Sequence, residues 1–172
     1  VVEILNAYFS RVCEPILKEG GTVDKFVGDA VMAVFGSPVP CEDHAQRALR
    51  AALAMSQIAR EFRIWMNEHF AHIHLPEFKI GIGLHTGEAV IGSIGSPKRM
   101  EFTAIGDTVN TASRLEGSTK ELGWTIVASS DTIRAAGSTA STGKRETISV
   151  KGREGHIEVF EVIGLKPEKG GV

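Results

Sequence analysis

Cysteine is scarce: Cys13 and Cys41 are the two in 172 residues. Two are too few for the disulfide framework of a small secreted domain, so a reducing, cytoplasmic setting is expected. No stretch approaches the roughly 18 consecutive apolar residues of a membrane span, and the N-terminus lacks the charged-then-apolar pattern of a signal peptide. The reading is therefore a soluble domain that makes no membrane contact of its own. Neither sign of charge dominates, since 19 basic and 21 acidic side chains leave a formal net charge of −2. No Lys/Arg run forms a stripe that could track a nucleic-acid backbone, so nucleic acid is not an expected partner. Also missing is any G-x-x-x-x-G-K-[ST] phosphate loop, and Gly81-Ile82-Gly83 lies inside a strand pattern rather than at a strand-to-helix turn. The glycines thus argue against a doubly wound dinucleotide fold, and any phosphate must be held by other means.

What is present is a hydrophobic period that switches repeatedly between helix and strand values. Val1, Ile4, Leu5, Tyr8, Phe9, Val12 and Ile16 recur at spacings of three and four. Residues 1–18 therefore read as an amphipathic helix, with Pro15 in its last turn and a stop at Gly20-Gly21. Thr22–Val27 and residues 30–35 flank the turn dipeptide Gly28-Asp29, which predicts an antiparallel hairpin. An Ala-rich second helix is expected over 43–70, a second hairpin from 78–84 and 89–94 around His85-Thr86-Gly87-Glu88, and a third helix over 107–120. Short strands at 125–128, 147–151 and 157–163 complete the tail, with 137–143 read as a mobile surface loop and 166–172 as a polar end. This order implies an α+β sandwich with a mixed, largely antiparallel sheet covered by helices. Because the chain opens already inside a helical period, the natural protein is expected to begin upstream of Val1.

Chemistry concentrates in three patches. In Lys25-Phe26-Val27-Gly28-Asp29, a carboxylate on a tight glycine turn can offer oxygens to a hard cation such as Mg²⁺. Taken alone, Asp29 is an ordinary turn residue and Lys25 an ordinary solvated strand residue. The second patch runs from Thr103 to Arg114, where Asn110 and Arg114 stand four apart and share a helix face. Packing explains this patch less readily than the first, the alternative account being a polar outer face capped by Asp107. The third patch, Val150-Lys151-Gly152, is a Lys-Gly turn of a common kind. His69, His72 and His74 cluster in a loop leaving a long helix, without a cysteine to suggest a transition metal. Met55, Trp65 and Met66 read as core or interface.

Together and in this order the three patches resemble the class III adenylyl and guanylyl cyclases, whose signatures include a K-x-x-G-D hairpin, an N-x-x-x-R helix and a late V-K-G turn. The resemblance covers nearly the whole chain and implies a ferredoxin-like or palm-like catalytic domain over 1–165, followed by a tail at 166–172. It also implies roles. Lys25 and Thr103 contact adenine, Asn110 orients the ribose, Arg114 neutralises charge on the α-phosphate, and Lys151 holds the β- and γ-phosphates. Asp29 is one of two carboxylates that hold two Mg²⁺ or Mn²⁺ ions per site. Guanylyl members usually carry Glu and Cys where this chain has Lys25 and Thr103, so the implied substrate is ATP and the product cyclic AMP. Many adenylyl members have Asp at the position of Thr103, and the departure resembles the bicarbonate-responsive soluble subgroup, which suggests bicarbonate as an activator.

Lys25 and Asp29 serve opposite ends of a nucleotide yet span at most about 13 Å of strand. The family's answer is a head-to-tail homodimer in which Asp29 serves one site and the remaining residues of that chain serve the other. One family element is unmatched: the D-[IL]-x-G-F-T strand that supplies the first metal carboxylate, which the expectation of an upstream start would restore. Glu3, inside a helical period, is no substitute. The alternative is a catalytically incomplete cyclase-like module that binds nucleotide, dimerises and regulates a partner. A relative of the diguanylate cyclases is disfavoured by the missing G-G-D-E-F signature.

Overall fold

The structure, a computed structural model, describes residues 2–150 and 155–167. Chain order is α1 (Val2–Lys18), β1 (Thr22–Val27), β2 (Ala30–Val34), α2 (His44–His69), β3 (Ile82–Leu84), β4 (Val90–Ser96), β5 (Arg99–Ile105), α3 (Asp107–Leu122), β6 (Ile126–Ser129), α4 (Ser130–Ala136), β7 (Ala140–Ser149) and β8 (His156–Leu165). This is the expected α+β arrangement. The strands divide into three sheets: the hairpin β1-β2, the hairpin β4-β5, and a four-stranded sheet in the order β3-β6-β8-β7. That last sheet is mixed, with β3 parallel to β6 and the other pairs antiparallel.

Burial follows the periods. β6 is buried at every position, as a strand covered on both faces must be. Its alternate residues Ile126 and Ala128 meet Leu49 and Ala52 of α2 and Ala136 of α4. Val127, pointing the other way, packs with Leu115 of α3, Trp124 and Val159. A separate cluster joins Tyr8 and Val12 of α1 to Phe62 and Met66 of α2, with Met55 and Trp65 packed against it, so those three residues are core as read. His69 stacks on Trp65, ring centroids 4.7 Å apart.

Two expectations are corrected. Residues 78–84 and 89–94 do not pair: β3 joins β6, and β4 takes β5 as its partner. The glycines explain the choice, because a Cβ on Gly83 would lie 2.3 Å from the Glu116 nitrogen and 2.5 Å from the Ala112 carbonyl oxygen. Only a bare backbone lets α3 sit so close to β3. The His85-Thr86-Gly87-Glu88 segment is therefore a corner rather than a hairpin turn. His85 Nδ1 contacts Ser129 Oγ at 2.8 Å, Thr86 Oγ1 contacts Thr132 Oγ1 at 3.0 Å, and the Thr108 hydroxyl donates to the Glu88 carbonyl. The second correction is at 137–143, where a short 3₁₀ turn leads directly into β7. Its Gly/Ser/Thr composition is absorbed by register shifts between Ser141 and Thr142 and between Thr142 and Arg145, irregularities that tolerate residues poor at packing a regular ladder.

Candidate active site

The hairpin β1-β2 turns at Gly28, whose φ of 62° suits a residue without a side chain. Asp29 follows on the exposed turn. Its charge reaches Tyr8: burial first, then the Asp29 carboxylate and Cys13, push the Tyr8 phenol up to about 12. Among the described residues no hydrogen bond or ion pair links Asp29 to Lys25, Thr103, Asn110 or Arg114. Nor does any group of three or more His, Cys, Asp or Glu side chains converge as a metal cage there.

At the other end of β1 the register shifts between Val23 and Lys25, leaving Asp24 as an extra residue opposite β2. In a regular strand Asp24 and Lys25 would face opposite sides. The bulge re-aims them, a use bulges serve beside functional sites, and both find partners on β5. Lys25 Nζ lies 3.4 Å from Glu101 Oε2. The Thr103 hydroxyl donates to Asp24, at 2.8 Å to Oδ1 and 3.0 Å to Oδ2, and the Ala104 amide donates to Oδ2 at 3.0 Å. Thr103 is 5 % exposed. Sequence reading singled out Lys25 and Thr103 but missed Asp24 and Glu101. The available signal was a pair of adjacent charged residues in a strand, together with a glutamate two positions before Thr103 on the same strand face.

β5 runs through Gly106, at φ 128°, into α3. Thr111, Leu115 and Thr119 form the buried face of that helix. Asn110 and Arg114 are exposed on the opposite side, and among the described residues neither side chain has a hydrogen bond or ion pair. The structure thus ties β1 to β5 through Lys25–Glu101 and Asp24–Thr103, and places Asn110 and Arg114 on the helix that continues from β5. Lys151 lies outside the described residues. Phe26 of β1 and Phe102 of β5 are 51 % and 60 % exposed, Phe26 packing one side against Phe9.

The family model for the adenylate and guanylate cyclase catalytic domain matches residues 1–164. Adenylate cyclase 1 of Rhizobium meliloti (strain 1021) is 38% identical over 165 residues, which is 96% of this chain and 24% of the relative. The adenylate cyclase of Anabaena cylindrica is 34% identical over 165 residues, 94% of this chain and 32% of the relative. The chain therefore spans a quarter to a third of these curated relatives. Among solved structures, the guanylyl cyclase Cya2 superposes with a TM-score of 0.86 at 32% identity, covering 98% of this chain and 83% of that one. The adenylyl cyclase CyaB from P. aeruginosa gives 0.84 at 30% identity, covering 98% and 85%.

Proposed function

The chain belongs to the adenylate and guanylate cyclase catalytic-domain family, and from that premise we propose that it converts ATP to 3′,5′-cyclic AMP and pyrophosphate. What supports the choice of base is that the adjacent residues Asp24 and Lys25 of β1 both bond to β5, Lys25 to Glu101 and Asp24 to Thr103, so the Lys25 ammonium and the Thr103 hydroxyl belong to the same β1–β5 contact. An ammonium donor meets the adenine N1 acceptor, and the hydroxyl meets the N6 amino group. In the reaction the ribose 3′-hydroxyl loses its proton as its oxygen bonds to the α-phosphorus, and the bond to the β-phosphate's bridging oxygen breaks. Asn110 orients the ribose and Arg114 opposes the negative charge that grows on the α-phosphate, a contribution made in the transition state. Lys151 is assigned to the β- and γ-phosphates.

Asp29 fits as one carboxylate ligand of Mg²⁺ or Mn²⁺: it is an exposed oxygen donor on a tight turn, and such ions are commonly held by one or two carboxylates plus substrate phosphates. When bound, the ions supply charge screening and acidify the attacking hydroxyl. The domain is taken as residues 1–165, with 166–172 a tail. We assign it to the cytoplasm, and no helix among the described residues is long and apolar enough to cross a membrane. Two chains pair head to tail, and the exposed Phe26 and Phe102 supply an apolar surface for that contact. Bicarbonate belongs to the reading as an activator and is tested by adding it at fixed pH.

The test is initial rates with ATP and with GTP in Mg²⁺ or Mn²⁺. ATP is expected to be the better substrate by far, and equal or faster turnover of GTP contradicts the assignment. The alternative reading is a catalytically incomplete module that binds nucleotide and dimerises. Nucleotide binding without turnover in the full-length protein would select it.

A further inference from the structure

We infer that Asp24 is a specificity-determining positioning residue, which fixes the polarity of the Thr103 hydroxyl so that its oxygen is offered to the nucleobase as a hydrogen-bond acceptor. The inference deepens, and rests on, the proposed reading of Thr103 as a base-contacting residue.

A threonine hydroxyl carries one hydrogen and two lone pairs, and an ionised carboxylate only accepts. Facing the Asp24 carboxylate at 2.8 and 3.0 Å, Thr103 has one way to satisfy both groups, which is to give its hydrogen to Asp24. The other acceptor in reach, the Ala104 carbonyl at 3.4 Å, is longer and loses to the carboxylate on distance and charge. Asp24 is itself held in place, because the Ala104 amide donates to its Oδ2 at 3.0 Å and the β1 bulge aims it at β5. With the hydrogen spent, what remains for a ligand is a lone pair. Adenine presents an amino donor at its sixth position and guanine a carbonyl acceptor. A locked acceptor pairs with the first and opposes the second. A threonine free to rotate would serve either, so the discrimination comes from Asp24 as much as from Thr103.

An isosteric change tests this. In Asp24→Asn the Ala104 amide keeps the side-chain oxygen in the Oδ2 position, which places the NH₂ where Oδ1 now accepts. That NH₂ donates to the Thr103 oxygen, so the hydroxyl either turns outward as a donor or, with its hydrogen kept on the amide oxygen at the 3.0 Å position, gives up a lone pair otherwise open to the base. Competition against a fluorescent ATP analogue on the full-length protein gives ATP and GTP affinities without relying on turnover. The ATP:GTP ratio should fall by about 10- to 100-fold in Asp24→Asn, the scale of one mismatched buried hydrogen bond. Thr103→Val should lose discrimination by itself, and adding Asp24→Asn to it should change the ratio no further. A merely structural role would weaken both nucleotides alike. If Thr103→Val collapses the ratio while Asp24→Asn leaves it at the wild-type value, the inference is wrong and the base-reading role of Thr103 stands. If Thr103→Val leaves the ratio unmoved, the base-reading role itself fails and takes the inference with it. A check that needs no variant uses purine riboside triphosphate, which lacks the amino group. It should bind the wild type about tenfold or more weaker than ATP, and equal binding overturns the inference.

Discussion

The β1–β5 junction and the outer face of α3 are both assigned to one nucleotide, yet they are built differently. At the junction every polar side chain already has a partner: Lys25 with Glu101, Thr103 with Asp24. On α3, Asn110 and Arg114 project into solvent with no hydrogen bond or ion pair to any described residue. The first region is organised by the chain itself and needs no ligand to hold its shape. Under the proposed function, the second acquires its partners when substrate and a second chain arrive. Recognition of the base would then be preorganised, while handling of the phosphates would depend on assembly.

Changes on α3 should therefore damage chemistry and spare the fold. Arg114→Ala should lower kcat by about 10³-fold or more, the scale of a guanidinium acting on a transferring phosphate. KM should change little, because the charge it meets develops in the transition state. Asn110→Ala should follow the same pattern less severely, and thermal melts of both should match wild type. An Arg114 variant that raised KM alone would make that residue a ground-state clamp and erase the contrast. Asp24→Ala should do the reverse, lowering stability by about 1–3 kcal/mol as the buried Thr103 hydroxyl and Ala104 amide lose their acceptor. A denaturant titration reads that loss.

A smaller effect concerns Tyr8, beneath the hairpin that carries Asp29. Its folded value of about 12 lies above the ordinary tyrosine value of about 10. The unfolded chain therefore releases the phenol proton first as pH rises. The stability tied to the neutral phenol is complete below pH 10 and is lost as pH climbs toward 12. Tyr8→Phe should flatten that part of the stability–pH curve, and an unchanged curve would place Asp29 and the buried ring differently.

Much of this was legible from residue patterns, and the failures have physical causes. The helices at 1–18, 43–70 and 107–120 and the first hairpin follow from periodicity and from Gly28-Asp29, all local signals. The pairing of β3 with β6 was not legible, because Gly81 and Gly83 look like strand glycines until α3 is known to lie against them. Residues 137–143 looked like a loop because a bulged strand tolerates the same small polar residues. At the site, Lys25, Thr103, Asn110 and Arg114 came from their spacing and family resemblance. Asp24 did not, since a regular strand turns it away from Lys25 and only the bulge brings both to β5.

The claim beneath the whole contrast is that each site is completed by two chains, with Asp29 given by one and Arg114 by the other. Complementation measures it most directly. Full-length Asp29→Ala and Arg114→Ala chains, each nearly inactive alone, are mixed, heterodimer formation is verified, and cyclic AMP formed from ATP is followed. Each heterodimer should carry one intact site and one doubly damaged site, so activity should return to at most about half of wild type per dimer. No recovery in verified heterodimers, or full activity from a wild-type monomer, would contradict the account.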